Sequence, residues 1–143
     1  MGRRALAVLG GIWLGCCCLG LASCGPTGPK LHPVKGQVFY LDKPAEGAQV
    51  IFQPAGDVPA GGALTPSGTV AADGSFTLST YPHGEGAPAG EYQVLVTWYP
   101  PNARELDNPV NKLPAKYGEP GSALLKATVK EGDNVLEPFR LTK

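Results

Sequence analysis

The residue with the most specific chemistry in this chain is Cys24, which ends the segment Leu21-Ala22-Ser23-Cys24. An aliphatic residue and two small residues therefore come directly before a thiol. A cysteine thiolate is very nucleophilic and can take up a group from an activated donor. The thiol of Cys24 is therefore a candidate for modification on sulfur.

Residues 1–23 have the three parts of a secretory signal. Arg3 and Arg4 form a short basic start, residues 5–21 form an apolar segment, and small residues follow. Because the basic start remains on the cytoplasmic side, the chain that follows it is expected to be exported. A four-residue motif is weak evidence by itself, but the position of Cys24 directly after this signal makes the motif more specific.

In this context, Leu21-Ala22-Ser23-Cys24 resembles the lipobox of bacterial lipoproteins. The resemblance implies a diacylglyceryl group on the Cys24 sulfur, recognition of Leu21, Ala22 and Ser23 by a dedicated signal peptidase, and cleavage before Cys24. Gly25 stands where an aspartate would retain such a protein at the inner membrane of enteric bacteria. The resemblance therefore favours the outer membrane and predicts an extracytoplasmic, lipid-anchored protein.

The sequence offers two alternatives to this lipobox. Cys16, Cys17 and Cys18 lie inside the apolar segment, where they are interpreted as small apolar residues of a discarded leader. An uncleaved anchor is the other alternative, because the apolar run approaches the ~20 residues that span a bilayer. Its glycines weaken it as a permanent helix, and either interpretation places the rest of the chain outside the cytoplasm.

The composition gives no reason to expect a nucleic-acid partner or a disulfide bond. The 12 basic and 12 acidic residues balance, and loss of Arg3 and Arg4 leaves the exported part slightly acidic, so we expect no nucleic-acid partner. Cys24 would be the only cysteine left, so a disulfide within the domain is not expected. We predict a lipidated cysteine with a flexible tether over residues 24–33, followed by one domain over residues 34–143.

Few residues outside the lipobox have types and spacing suited to catalysis or metal binding. His32 lies in the predicted tether, and His83 lies in a loop beside Glu85. A metal site usually needs three or four protein ligands, so no metal and no cofactor are predicted. No serine stands in a G-x-S-x-G motif. We therefore expect a protein that is not an enzyme, with a secreted hydrolase that uses His83 as its base as the remaining alternative.

Alternating apolar and polar residues predict short strands and no helix. The seven predicted strands are residues 34–41, 48–53, two in a hairpin over 68–80, 91–99, 124–130 and 134–141. Asp73-Gly74 is a strong hairpin signal, and Pro138 predicts an edge or a bulge in the last strand. Tyr92 is expected to bond back to the preceding loop as a tyrosine corner. The pattern indicates an all-β, antiparallel, seven-stranded β-sandwich.

An ordered series of segments adds a family resemblance. The chain resembles the carboxypeptidase-regulatory-like domain, which has a transthyretin-like sandwich of Greek-key type, and especially small secreted lipoproteins of planctomycete-type bacteria. The segments that carry the resemblance are residues 36–40, 43–52, 73–76, 88–94, 113–118 and 122–124. The resemblance implies the fold and a non-catalytic accessory or binding role.

The long segment over residues 100–122 is the candidate ligand loop, because long loops in compact domains are often functional. Trp98 and Tyr99 stand at its entry, and Lys116 and Tyr117 stand near its exit. Aromatic faces beside polar groups are typical of sugar or peptide recognition. The alternative is structural, with Leu106, Leu113 and Tyr117 pinning the loop over one sheet edge.

Together these observations predict a non-catalytic, lipid-anchored binding or structural module of the cell envelope. Its expected partners are the membrane, through the N-terminal lipid, and an envelope protein or polysaccharide. A carbohydrate-binding module that uses residues 98–122 is the alternative from a different class.

Overall fold

The computed structural model describes residues 28–56, 63–122 and 124–143. Cys24 and the predicted signal segment lie outside these residues. The described chain forms short strands and two single-turn 3-10 helices, which confirms the prediction of an all-β protein. The elements are β1 Leu31–His32, β2 Val34–Tyr40, β3 Lys43–Pro44, β4 Gln49–Pro54, β5 Ser67–Thr69, β6 Ser75–Thr77, β7 Ser79–Thr80, β8 Gly84–Glu85, β9 Ala87–Pro88, β10 Gly90–Thr97, helices Ala103–Glu105 and Ala115–Tyr117, β11 Lys126–Val129, β12 Asn134–Val135 and β13 Phe139–Leu141.

The larger sheet is antiparallel and has the strand order β11-β10-β4-β5-β7-β8. Its centre is the pair β4 and β10, in which Val94 lies opposite Phe52 and Val96 lies opposite Val50. These four side chains are buried, because alternate residues of a strand point to the same face of the sheet. The alternation that predicted these strands therefore also identifies the face that packs inward.

The second sheet is organised around β2. Lys35 of β2 lies between Val135 of β12 and Thr77 of β6. Four residues along, Phe39 lies between Arg140 of β13 and a residue of β3. Strands β12 and β13 run parallel to β2, which corrects the prediction of a purely antiparallel sandwich. An alternating pattern does not indicate whether neighbouring strands run parallel or antiparallel, because that depends on the path of the chain between them.

The last predicted strand, residues 134–141, is divided in two. The register against β2 differs by one residue between β12 and β13, so an extra residue bulges out between them. Pro138 lies in this interruption and has no backbone N–H to donate to a neighbour. The prediction of a bulge in this strand is confirmed.

The inward faces of the two sheets share one hydrophobic core. Val34, Val38 and Leu141 come from the sheet around β2, and Phe52 and Val96 come from the larger sheet. All five side chains are at most 1% exposed. A core built from the facing sides of two sheets gives the fold its sandwich-like character.

The predicted hairpin over residues 68–80 is wrong. The turn at Asp73-Gly74 is present, with Gly74 at φ 87°, but β5 pairs with β4 and β7 whereas β6 pairs with β2. The chain therefore crosses from one sheet to the other at this turn. Because a local turn signal specifies only the reversal of the chain, it could not reveal this crossing.

The predicted tether is also corrected at its end. Leu31 and His32 form β1, which pairs with β9, and His32 is only 5% exposed. His32 accepts a hydrogen bond at Nδ1 from the backbone N–H of Gly132, at 2.9 Å. Contact with two distant segments therefore makes residues 31–32 part of the folded domain, ahead of the predicted start at residue 34.

The strand directions define two ends of the molecule. At the entry end lie Gly28, the β1–β9 pair and the first residues of β2 and β10. At the far end lie Tyr40 and Thr97, with which β2 and β10 finish. The eight residues of β10 separate the two ends by about 25 Å, since a strand rises ~3.3 Å per residue. Among the described residues there is no helix with the length and apolar character needed to cross a bilayer.

Candidate functional site

The candidate ligand loop, residues 100–122, leaves the far end of β10 and is fastened back onto it. Asn111 accepts hydrogen bonds at Oδ1 from the backbone N–H groups of Trp98, at 2.9 Å, and Leu113, at 3.1 Å. The backbone N–H of Lys112 donates to the carbonyl of Trp98 at 2.8 Å. Three hydrogen bonds thus join the middle of the loop to its entry and give it a defined shape.

Two side chains of the loop enter the core. Leu113 is 4% exposed and Tyr117 is 7% exposed, and both belong to the core shared by the sheets. The Tyr117 hydroxyl accepts a hydrogen bond from the backbone N–H of Thr142, at 3.0 Å, just beyond β13. These contacts agree with the structural interpretation for Leu113 and Tyr117. Leu106 is 42% exposed, so it does not serve as an anchor.

The aromatic residues at the loop entry remain accessible to a ligand. The Trp98 ring is half-buried and meets the Tyr40 ring edge-on, with centroids 6.3 Å apart. The Lys112 ammonium lies 4.8 Å from the centroid of Trp98, which is a cation–π distance. Tyr99 is 43% exposed. Trp98 and Tyr99 therefore keep the exposure that the predicted ligand site requires.

The other two predicted ligand residues are engaged within the protein. Tyr117 is buried, so its ring offers no open face. Lys116 donates from Nζ to the carbonyl of Lys143 at 3.0 Å, and the same ammonium lies 5.1 Å from the centroid of Tyr117. The structure thus brings Lys116 and Tyr117 together at the C-terminal tail and leaves Trp98 and Tyr99 as the accessible pair.

The surroundings of Tyr117 shift its ionisation. Burial acts to raise the pKa of Tyr117, but hydrogen bonds with the side chain and backbone of Thr142 and the positive charge of Lys116 outweigh it. The net result is a pKa below the usual value near 10. The phenol is therefore more acidic than in a free tyrosine, because its oxygen faces donors and a cation.

The turn that follows β2, beside this site, has a strained backbone. Leu41 and Asp42 both adopt positive φ, of 51° and 62°, between β2 and β3. Positive φ is unfavourable for leucine, and such strain often accompanies functional surfaces. Asp42 pairs with Arg140 at 3.1 Å, whereas Leu41 is 46% exposed. The left-handed backbone of Leu41 could not be predicted, because leucine has no preference for it, whereas aspartate at position 42 accepts it more readily.

Exposed apolar side chains are concentrated at the far end. Within the described part of the chain, seven large apolar residues are substantially exposed, and four of them belong to the far end. These four are Leu41, Tyr99, Leu106 and Val110. Exposed apolar side chains make this end the candidate surface for a partner, because large exposed apolar patches mark interaction sites.

The remaining candidates have structural surroundings. His83 is exposed in a turn, as predicted, whereas His32 is buried and bonded to Gly132. Tyr92 donates from its hydroxyl to the carbonyl of Pro88 at 2.8 Å, which confirms the predicted tyrosine corner, and burial raises the pKa of Tyr92. No group of three or more His, Cys, Asp or Glu residues in the described segments is arranged to hold a metal.

The predicted lipidation site and its recognition residues, Cys24, Leu21, Ala22 and Ser23, lie outside the described residues. Their prediction therefore continues to depend on the sequence. Comparison with protein-family models, with curated proteins and with solved structures found no match for this chain.

Proposed function

We propose that this chain is an exported lipoprotein, anchored through Cys24, whose β-sandwich is a non-catalytic binding or structural module of the cell envelope. The basic start, the apolar segment and Leu21-Ala22-Ser23-Cys24 support the anchoring. Two or three acyl chains would hold it durably, since a single chain gives only marginal membrane binding. Gly25 in place of an aspartate favours the outer membrane.

The observation that carries the proposal is the separation of the two ends. The chain enters the domain at Gly28, beside β1, and the candidate ligand loop lies at the other end of β10, about 25 Å away. A protein held by Cys24 would therefore present its far end away from the bilayer. The accessible aromatic and aliphatic side chains lie at that end, where a soluble envelope partner can reach them.

We also propose a specific fold for the domain. Two sheets with one core support a transthyretin-like domain of the carboxypeptidase-regulatory-like type, with a seven-stranded Greek-key arrangement. Several of the observed strands have only two or three residues and are pieces of a longer one, as β12 and β13 are pieces of the strand predicted over residues 134–141. Joining such pieces gives a smaller number of principal strands.

Replacement of Cys24 by serine tests the anchoring. We expect the native chain to be membrane-bound, shortened by its leader and heavier by the mass of its lipid. Cys24→Ser should remain at precursor length without the lipid mass, because serine oxygen does not replace the thiol. Cys17→Ser is the matched control and should behave like the native chain. A Cys24→Ser chain that is still lipidated and of mature length would refute the proposal.

The binding role is tested with the lipidated full chain. Affinity capture from envelope extract should retain partners that are lost in a Tyr99→Ser variant and kept in a Tyr81→Ser variant. Each change removes one exposed tyrosine. The two variants differ in place, because Tyr99 lies at the far end and Tyr81 lies at the entry end. Equal capture by the two variants would exclude the far end as the binding surface.

A carbohydrate-binding module is the second candidate, and the exposure of Tyr99 beside the half-buried Trp98 favours it. Sugar rings stack on accessible aromatic faces. The burial of Tyr117 limits the platform to these two residues. A glycan array should show binding that falls in Tyr99→Ala, and an array without signal would leave the partner as a protein.

A further inference from the structure

Tyr81 is the most exposed large apolar residue in the described part of the chain, with 92% of its surface accessible. It belongs to the turn Tyr81-Pro82-His83, which joins β7 to β8. The base of this turn is firmly held. Thr80 is 1% exposed and donates from its hydroxyl to the carbonyl of Gly86 at 2.7 Å, and the backbone N–H of His83 donates to the carbonyl of Thr80 at 2.7 Å.

The same turn lies where the chain enters the domain. A Cβ atom placed on Gly28 would lie 3.3 Å from Nδ1 of His83, so Gly28 and the turn are in contact. Tyr81 is two residues from His83 and therefore lies within about 7 Å of it along the chain. The exposed tyrosine and the entering chain thus share one corner of the entry end.

Covalent geometry limits the distance between this corner and a lipidated Cys24. Gly28 is four residues after Cys24, and four fully extended steps of the chain span at most about 15 Å. A cysteine whose acyl chains enter the bilayer lies at the boundary between headgroups and hydrocarbon. The headgroup layer is about 5–8 Å thick on each side, so the tether is short enough to let the turn reach it.

The chemistry of Tyr81 fits this position. A tyrosine ring is apolar while its hydroxyl is polar, and tyrosine is enriched at membrane–water interfaces for this reason. The charges nearby do not form a basic patch. Lys30 pairs with Glu131 at 3.5 Å, and Glu85 lies in β8 next to the turn. Attraction to anionic lipid headgroups is therefore not the expected source of contact.

We propose that Tyr81 inserts its ring into the interface of the bilayer that holds the acyl chains of Cys24, and so fixes the orientation of the domain on the membrane. The inference rests on the proposed lipidation of Cys24. It adds a second point of attachment, which keeps the entry end down and the candidate ligand loop pointing away from the lipid.

The test uses the full-length lipidated protein reconstituted into vesicles of phosphatidylcholine and phosphatidylglycerol. Trp98 is the only tryptophan after residue 24, so Trp98→Phe gives a background without tryptophan emission from the domain. Tyr81→Trp or Tyr99→Trp is then introduced into this background. Phosphatidylcholine brominated near the headgroup end of its acyl chains quenches only tryptophan that reaches the interface. Thermal unfolding of each variant verifies that the domain is folded.

Most of the Tyr81→Trp emission should be lost to brominated lipid, whereas Tyr99→Trp, at the far end, should keep its emission. The loss should persist at about 1 M salt, where the Debye length is about 3 Å. Tyr81→Trp emission that is not quenched, equal quenching of both variants, or release by salt would each overturn the inference. The mass of the purified chain reports lipidation separately, so an unlipidated chain would refute the proposed function rather than the orientation alone.

Discussion

Nδ1 of His32 accepts a hydrogen bond from the backbone N–H of Gly132, 2.9 Å away and 100 residues later in the chain. The bond joins β1 to the turn that precedes β12. Asn134 holds the same turn, because its side chain accepts from the N–H of Lys130 and donates to the carbonyls of Lys130 and Gly132. The first strand of the domain is thus bonded to its last third, close to the point where the chain enters the domain.

Replacement of His32 by alanine should destabilise the domain. The change removes a buried acceptor and leaves a cavity under β1, so we expect a loss of roughly 1–3 kcal/mol in the free energy of unfolding. Denaturant unfolding measures the loss. His83→Ala is the matched control and should change stability by less than about 0.5 kcal/mol, because His83 is exposed. Similar losses in the two variants would contradict the structural role of His32.

Gly68 should not tolerate a side chain. A Cβ at Gly68 would overlap the carbonyl oxygen of Thr77, where the chain passes from one sheet to the other. Because backbone must move to make room, Gly68→Ala should cost about 1–3 kcal/mol or prevent folding. Gly56→Ala is the control, since a Cβ at Gly56 meets no atom within 4 Å. In thermal unfolding, Gly68→Ala should melt at a lower temperature than Gly56→Ala. Equal melting temperatures would contradict the close approach at Gly68.

The strands that could be predicted from sequence are those with a long alternating pattern. Tyr92, Val94 and Val96 are buried in β10 as predicted, because a period of two identifies a face without knowledge of its partners. The crossing at Asp73-Gly74 and the parallel direction of β13 could not be predicted in this way. Both depend on contacts between segments distant in sequence, and no local pattern records them.

The candidate site was predictable to a similar extent. Aromatic residues at the loop entry could be recognised, but the sequence could not distinguish the exposed Tyr99 from the buried Tyr117. That difference arises because Tyr117 bonds to Thr142, 25 residues later. The burial of His32 was missed for the same reason. The segment around His32 is rich in proline and glycine and was therefore predicted to be a tether, and its sequence does not reveal the hydrogen bond with Gly132.

Tyr117 and Tyr92 should respond to alkaline pH in opposite directions. The pKa of Tyr117 is lowered although burial opposes the shift, and the pKa of Tyr92 is raised by burial. A lowered pKa contributes stability that is present above the unfolded value near 10 and is lost as pH falls through the folded value. A raised pKa contributes stability that is present below about 10 and is lost as pH rises through the folded value.

Absorbance titration of tyrosinate tests this pair. Tyr117→Phe should remove ionisation that occurs below pH 10, and Tyr92→Phe should remove ionisation that occurs above it. Compared with the native chain, Tyr117→Phe should also lose stability as pH rises through the window just below 10. If either variant removes absorbance on the opposite side of pH 10, the corresponding pKa direction is wrong.

Replacement of Leu41 by asparagine should make the protein more stable and weaken its binding to a partner. Asparagine accepts left-handed backbone more readily than leucine, so Leu41→Asn should recover about 0.5–1 kcal/mol of the 1–2 kcal/mol that positive φ costs. Val135→Asn is the matched control, because Val135 is 84% exposed and no positive φ occurs there. It should give no gain in denaturant unfolding. If the far end binds the envelope partner, Leu41→Asn should also reduce affinity capture by the lipidated chain while Val135→Asn does not. A Leu41→Asn protein that is less stable than the native chain would show that leucine contributes more by packing than its backbone strain costs.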